Sequence, residues 1–270
     1  MVELLTAPIV ACLVIAMMHA YLGIHIIDRK VIFVDLALAQ IAALGAAFGF
    51  LMGFEYGDTT SVILGLLFTF IGAAIFSLTR TRREKVPQEA IIGIVYAVSA
   101  AAFILVMDRS PEGSEKIKGM LVGSVLFVTW TEIIRVSIIY MIIGMFHYKF
   151  RKQFLAISRN PEKAFQQGIK VRLWDFLFYI SFGIVVTQSV RISGVLLVFS
   201  FLVVPGIIAV LFSDRDSSRL AIGSAVGVIA SLMGIIISVL LDIPTGASIV
   251  CTFGIILIFV GIFRAVMAKL

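Results

Sequence analysis

Residues Val31–Gly45 read VIFVDLALAQIAALG, an apolar run interrupted by a carboxylate at Asp35 and a carboxamide at Gln40. Similar runs recur along the whole chain, in which 61% of the residues are hydrophobic and only 14% are charged. An ordinary soluble domain has roughly 45–50% apolar and about 25% charged residues. Because one helical membrane crossing needs about 20 apolar residues, the pattern predicts an all-α, polytopic helical membrane protein.

The crossings are predicted from the apolar segments, and their number is eight or nine. Segment 120–146 is longer than one crossing needs, so residues 119–128 are predicted to form a short outer or re-entrant helix or the start of that crossing. Two later segments are separated only by Arg191, which predicts a very tight hairpin near Ser193 and Gly194 or a half-helix. The segments are 5–27, 32–54, 60–79, 90–107, 120–146, 173–190, 192–213, 219–241 and 247–267.

Basic residues indicate the orientation. With the N-terminus outside, 17 of the 22 Lys and Arg residues fall in inner loops and the tail, and four fall in outer loops. This asymmetry follows the positive-inside rule and explains the net charge of +6 by membrane topology rather than by nucleic-acid binding. Membrane lipid is the expected surrounding, and residues 1–270 are predicted to form a single transmembrane domain.

The longest inner loop, about 147–172, contains its own helix signal. Asn160 can cap a helix with Pro161 at the first position, and Gly168 can end it, so a short helix is predicted over about 161–167. A solvated connector is the alternative interpretation.

Several sequence blocks, taken in order, form a recognisable pattern. They are DRKVIFVDLALAQIAALG, EAIIG at 89–93, NPEKAFQQGIKVRLWDFLF, RISGVLLVFSFLVVPGIIAVLF and LLDIPTGASIVC. Together they resemble the permease subunits of ABC transporters that import zinc, manganese or iron. In order, the blocks are similar to that family's basic pair and second helix, an acidic block that opens a helix, the inner-loop motif, a helix that contains a proline, and the last turn. The motif residues are Gly194, Pro205, Asp242, Pro244, Thr245 and Gly246.

The resemblance implies a multi-pass permease of the prokaryotic inner membrane that moves a divalent metal ion and keeps no permanent cofactor. It implies a second permease copy in a homodimer, an extracytoplasmic solute-binding protein and a separate ATPase, since the chain has neither a nucleotide-binding loop nor a nucleophile elbow and is not expected to be an enzyme. The ATPase would act on the loop helix through Pro161, Glu162, Ala164 and Gly168.

The second helix departs from the family pattern, in which an Asp and a His four residues apart are thought to contact the metal. Gln40 stands at the His position and Leu36 at the Asp position. Asp35 and Gln40 lie about 140° apart around a helix and do not share one chelating face. Gln40, about 13 Å from the helix entry, is the stronger candidate for a metal path or forms an interhelical hydrogen bond. Asp35 is shallower and is expected to pair with Arg29 or Lys30 or to reach inner water, ahead of binding metal.

Two further residues are metal candidates. Glu89 follows Pro87 at a helix start, where the helix dipole favours a carboxylate whether or not a cation passes. His25 lies near the inner end of the first helix, where an imidazole is a metal ligand or, more commonly, a core group.

Two alternatives remain open. The same architecture could import a metal chelate such as a siderophore or cobalamin, although the short chain and the Asp242-x-Pro-Thr-Gly turn favour the free ion. A self-contained secondary transporter or channel should instead show paired intramembrane charges and internal symmetry.

Overall fold

The structure is a computed structural model, and it describes residues 2–54, 58–80, 86–108, 119, 123 and 125–267. These residues form α-helices and one 3-10 helix at Val125–Phe127, with no strand among them. The helices are α1 (Val2–Arg29), α2 (Val34–Leu51), α3 (Thr59–Thr79), α4 (Gln88–Met107), α5 (Trp130–Lys149), α6 (Arg151–Arg159), α7 (Pro161–Gln166), α8 (Val171–Ser193), α9 (Val195–Phe212), α10 (Asp216–Leu241) and α11 (Thr245–Met267).

Nine of the helices in the described ranges are long and apolar enough to cross a membrane. The two others, α6 and α7, lie in the loop between α5 and α8. The prediction of an all-α, polytopic membrane protein is confirmed, and the candidate crossings among the described residues number nine. Of the expected outer helix at 119–128, residues 120–122 and 124 lie outside the described residues, Val125–Phe127 form the 3-10 helix, and α5 begins at Trp130.

The chain divides into two compact units, and the expectation of a single transmembrane domain stays a prediction. Unit 1 comprises Met1–Ile27, Leu121–Ile138 and Arg191–Leu270, and unit 2 comprises Asp28–Met120 and Ile139–Val190.

In unit 2, α2 packs along both α3 and α4. The crossing of α2 and α3 depends on a small residue, since a Cβ atom added at Gly45 would lie 2.6 Å from the carbonyl oxygen of Leu64. Small residues allow two membrane helices to approach this closely, and van der Waals contact between backbones then stabilises the pair. The helix α2 is therefore held in a fixed register against α3.

In unit 1, α9, α10 and α11 pack against one another. The Asp242-x-Pro-Thr-Gly motif makes the turn between α10 and α11: Asp242 has a left-handed backbone with φ 51°, and the Ser238 hydroxyl lies 2.8 Å from the Thr245 hydroxyl. Pro244 comes just before α11, where its carbonyl accepts the Ser248 N–H at 3.0 Å. The motif therefore acts in this chain as a helix-ending turn.

The boundary between α8 and α9 is the single residue Gly194, whose φ of 76° favours glycine. The predicted separator, Arg191, lies instead in the last turn of α8. Both helices exceed the length of a half-helix and count among the candidate crossings. Pro205 lies buried inside α9.

Candidate metal and coupling sites

Gln40 and Asp35 both lie on α2 in unit 2, and both are buried. Asp35 is 1% exposed, and neither of its carboxylate oxygens has a hydrogen-bond partner among the described residues. The side-chain oxygen of Gln40 also lacks one. A buried polar atom without a partner is costly, so a cation or a hydrogen-bond donor beside these oxygens would be stabilised.

Glu89 meets the same end of α2 from the neighbouring helix. It lies in the first turn of α4, and its Oε1 accepts the N–H of Phe33, the N-cap residue of α2, at 3.0 Å. Its other oxygen, Oε2, is buried without a described hydrogen-bond partner. Because Asp35 is in the first turn of α2, the structure brings both carboxylates to one helix end.

His25 belongs to unit 1, whereas Asp35, Gln40 and Glu89 belong to unit 2. It is buried, and its ring packs edge-on against Tyr21 with the ring centroids 4.8 Å apart. In the part of the chain that the structure describes, no three His, Cys, Asp or Glu residues lie close enough together to hold a metal ion.

The expected pairing of Asp35 with Arg29 or Lys30 does not occur among the described residues, and Arg29 binds a residue far along the chain. Its Nη1 lies 2.5 Å from Oδ1 of Asp175 on α8, and its Nε donates to the Ser158 hydroxyl at 2.8 Å. The guanidinium also stacks on the Phe178 ring, 3.9 Å from its centroid. Asp35 does not reach water either, since it is fully buried.

A second arginine completes this ion cluster. Arg80, which follows α3, places its Nε 3.3 Å from Oδ2 of Asp175 and donates through Nη1 to Gln88 at 2.9 Å. Gln88 in turn donates to the Phe76 carbonyl and to the Tyr179 hydroxyl. We call Arg29, Arg80, Gln88 and Asp175 the arginine clasp. It joins the end of α1 to α3, α4 and α8, and sequence reasoning missed it because its members are far apart in the chain.

The predicted loop helix is present as α7, with the predicted signals in place. The Asn160 side chain accepts the Lys163 N–H at 2.9 Å, Pro161 is in the first turn, and Gly168 follows the helix with φ 76°. Glu162 is exposed. The helix ends at Gln166, one residue before the predicted end.

Ala164 is buried inside the permease, whereas a residue that contacts an ATPase would be expected at the surface. It is 1% exposed and packs in a cluster with Ile157 and Val171 of the same unit. The residue therefore anchors α7 to the permease, and the exposed residues of α7 are the ones a partner could touch.

These features define a class, a multi-pass membrane transport protein. It has membrane-length helices, buried oxygens on α2 that have no hydrogen-bond partner among the described residues, and a short helix on a loop between two crossings. Comparison with known proteins then shows the family. The sequence pattern of the ABC 3 transport family matches residues 1–264, and the chain belongs to this family.

Two relatives have names that refer to metal transport, and a solved structure has a similar fold. The chain is 22% identical to the manganese transport system membrane protein MntC of Listeria monocytogenes, over 96% of this chain and 90% of that protein. It is 26% identical to the chelated iron transport system membrane protein YfeC of Yersinia pestis, over 79% and 70%. The fold matches PsaBC from Streptococcus pneumoniae in complex with Fab with a TM-score of 0.77, covering 95% of this chain and 90% of that chain at 22% identity. The chain is a multi-pass protein of the prokaryotic inner membrane, as predicted.

Proposed function

We propose that this chain is the permease subunit of an ABC importer that carries a divalent transition metal ion, zinc, manganese or iron, into the cytoplasm. Membership of the ABC 3 transport family supports a transport function. The names of its relatives, which refer to manganese and to chelated iron, support a metal as cargo.

The observation that carries the proposal is the set of buried oxygens without partners on α2 and at the start of α4. Both oxygens of Asp35, Oε1 of Gln40 and Oε2 of Glu89 have no hydrogen-bond partner among the described residues. An isolated buried carboxylate is strongly disfavoured unless a cation or a proton compensates it. A metal ion in passage would supply that compensation.

The ion path follows from the depths of these groups. Gln40 lies six residues, about 9 Å, along α2 from Val34, deeper than Asp35, and its carboxamide oxygen would replace one water of the ion. Asp35 and Glu89 at the inner end of α2 would then receive the ion before its release. Oxygen ligands suit hard ions, so we place manganese first among the three metals. His25 stays a fourth candidate ligand.

One chain offers too few ligands for a complete site in its described residues. A second copy in a homodimer would present the same residues and could complete the coordination. The remaining expected partners are a solute-binding protein outside and a separate ATPase inside, which would act on α7 through Pro161, Glu162 and Gly168, with Ala164 holding the helix in place.

A chelate importer is the second candidate, and the name of YfeC favours it. A siderophore or cobalamin complex is much larger than a bare ion and does not need carboxylates at the end of α2, because its metal is already coordinated. Uptake of the free ion and of the chelate by the same vesicles separates the two candidates.

The test is uptake of manganese into proteoliposomes that contain the permease and its ATPase. Because two carboxylates are removed from the proposed exit, Asp35→Asn combined with Glu89→Gln should lower ATP-dependent uptake by at least about tenfold. The control is Asp58→Asn, which removes an exposed carboxylate that caps α3. Uptake that needs no ATP would show a secondary transporter or channel, and normal uptake in the double variant would remove these carboxylates from the path.

A further inference from the structure

A charged cavity of about 460 Å3 lies beside α7 in unit 2. Its walls come from the end of α1, the end of α3, the start of α4 and the corner between α6 and α7. Four cationic residues line it against two acidic ones: Arg29, Lys30, Arg80 and Arg159 against Asp28 and Glu162. The cavity therefore has an excess of positive charge.

The arginine clasp accounts for part of this charge, since Arg29 and Arg80 share the carboxylate of Asp175. With Asp175 counted as a third acidic residue, four cationic residues still exceed the acidic ones by one. Two of the lining cations, Lys30 and Arg159, are exposed, and no ion pair of Lys30 occurs among the described residues. An anionic group in the cavity would find this ammonium available.

The backbone of Lys30 strengthens the case. It follows α1 with a φ of 58°, a left-handed conformation that glycine or asparagine adopts with less strain at a helix end. A lysine at such a position has a conformational cost, and strained residues concentrate at functional sites. Lys30 therefore bears a backbone cost that glycine would not bear, which is an observation in favour of a role for its side chain.

We propose that the cavity receives a carboxylate side chain of the ATPase subunit and that Lys30 binds it. This inference rests on the proposed function, which provides an ATPase at α7. Asn160, the N-cap of that helix, and its residues Pro161, Glu162 and Phe165 line the cavity, so a protein docked on α7 would lie beside the cavity. An anionic lipid fits less well, because only Pro87, Pro161 and Phe165 among the lining residues are apolar and could accompany an acyl chain.

The test measures binding of the purified ATPase subunit to the permease in nanodiscs, once with zwitterionic and once with anionic lipid. Lys30→Glu and Lys30→Gly should weaken binding by about tenfold or more in both lipids, while Lys30→Arg keeps it. Lys30→Gly also relieves the left-handed strain, so its thermal unfolding midpoint should not fall. A photo-crosslinking residue at position 30 should join an ATPase peptide that contains Asp or Glu, and reversing that acid should restore binding to Lys30→Glu.

The matched control is Lys152→Glu, the same charge change at an exposed lysine of α6 outside the cavity. It should change binding by less than about twofold. Equal affinities for Lys30→Glu and Lys152→Glu would overturn the inference, and so would a defect confined to anionic lipid with a lipid adduct in the crosslink. If the wild-type permease binds no ATPase under any condition, the proposed function fails first and the inference fails with it.

Discussion

Two kinds of buried charge distinguish the residues of unit 2. Asp175 is fully buried but receives two guanidinium groups, so its desolvation is compensated. Asp35 is equally buried and has no described hydrogen-bond partner for its carboxylate. A buried carboxylate without a partner, such as that of Asp35, is energetically costly. The cost is offset when a cation binds there, as we propose for each transport cycle.

The first prediction concerns Gln40. Since its Oε1 has no described hydrogen-bond partner, Gln40→Leu should leave the thermal stability and the amount of assembled permease almost unchanged. An interhelical hydrogen bond in a membrane is in any case worth only about 0.6 kcal/mol on average. Uptake should fall by at least about tenfold if the carboxamide contacts the ion.

Gln40→His should keep transport and shift the metal preference toward zinc, because imidazole is the softer ligand. Wild-type uptake and selectivity in Gln40→Leu would place the path elsewhere.

Among the helices, α7 and the arginine clasp are connected through direct contacts with α6 and α8. Ser158 of α6 binds Arg29, and Ala164 of α7 packs on Ile157 of α6 and Val171 of α8. A displacement of α7 would therefore be transmitted by these contacts to the end of α1 and the start of α8. Bulk introduced at Ala164 would disturb this packing inside the permease, which differs from blocking a contact with the ATPase.

The clasp yields a stability prediction. Asp175→Asn leaves two buried guanidinium groups without their carboxylate, and breaking a buried ion pair in this way costs about 3–5 kcal/mol. We expect a lower thermal unfolding midpoint of the purified permease and less protein in the membrane. Asp108→Asn, an exposed position after α4, is the control and should behave as wild type. An unchanged midpoint for Asp175→Asn would mean that the clasp contributes little to stability.

For the whole molecule, the sequence predicted what depends on local pattern. Apolar runs predicted the crossings, and Asn160, Pro161 and Gly168 predicted α7, because capping and turn preferences operate within a few residues. It did not predict the partner of Arg29, since Asp175 lies 146 residues away and only tertiary packing selects it over the nearer Asp35. Nor did it predict that Ala164 points into the permease, because a six-residue helix carries too few turns for its apolar face to be read.

The last prediction tests orientation and the number of crossings together. An odd number of crossings puts the two chain ends on opposite sides, and 17 inner against four outer basic residues put the N-terminus outside. In a chain with Cys12 and Cys251 replaced by serine, an impermeant thiol reagent should label Asp108→Cys and Ile243→Cys in intact cells. It should label Lys163→Cys only after permeabilisation, which also serves as the control for reactivity. Ile243 reaches the outside only if α8 and α9 both cross, so protection of Ile243→Cys with labelling of Asp108→Cys would reduce the count to eight. Labelling of Lys163→Cys in intact cells would reverse the orientation and remove α7 from contact with any cytoplasmic ATPase.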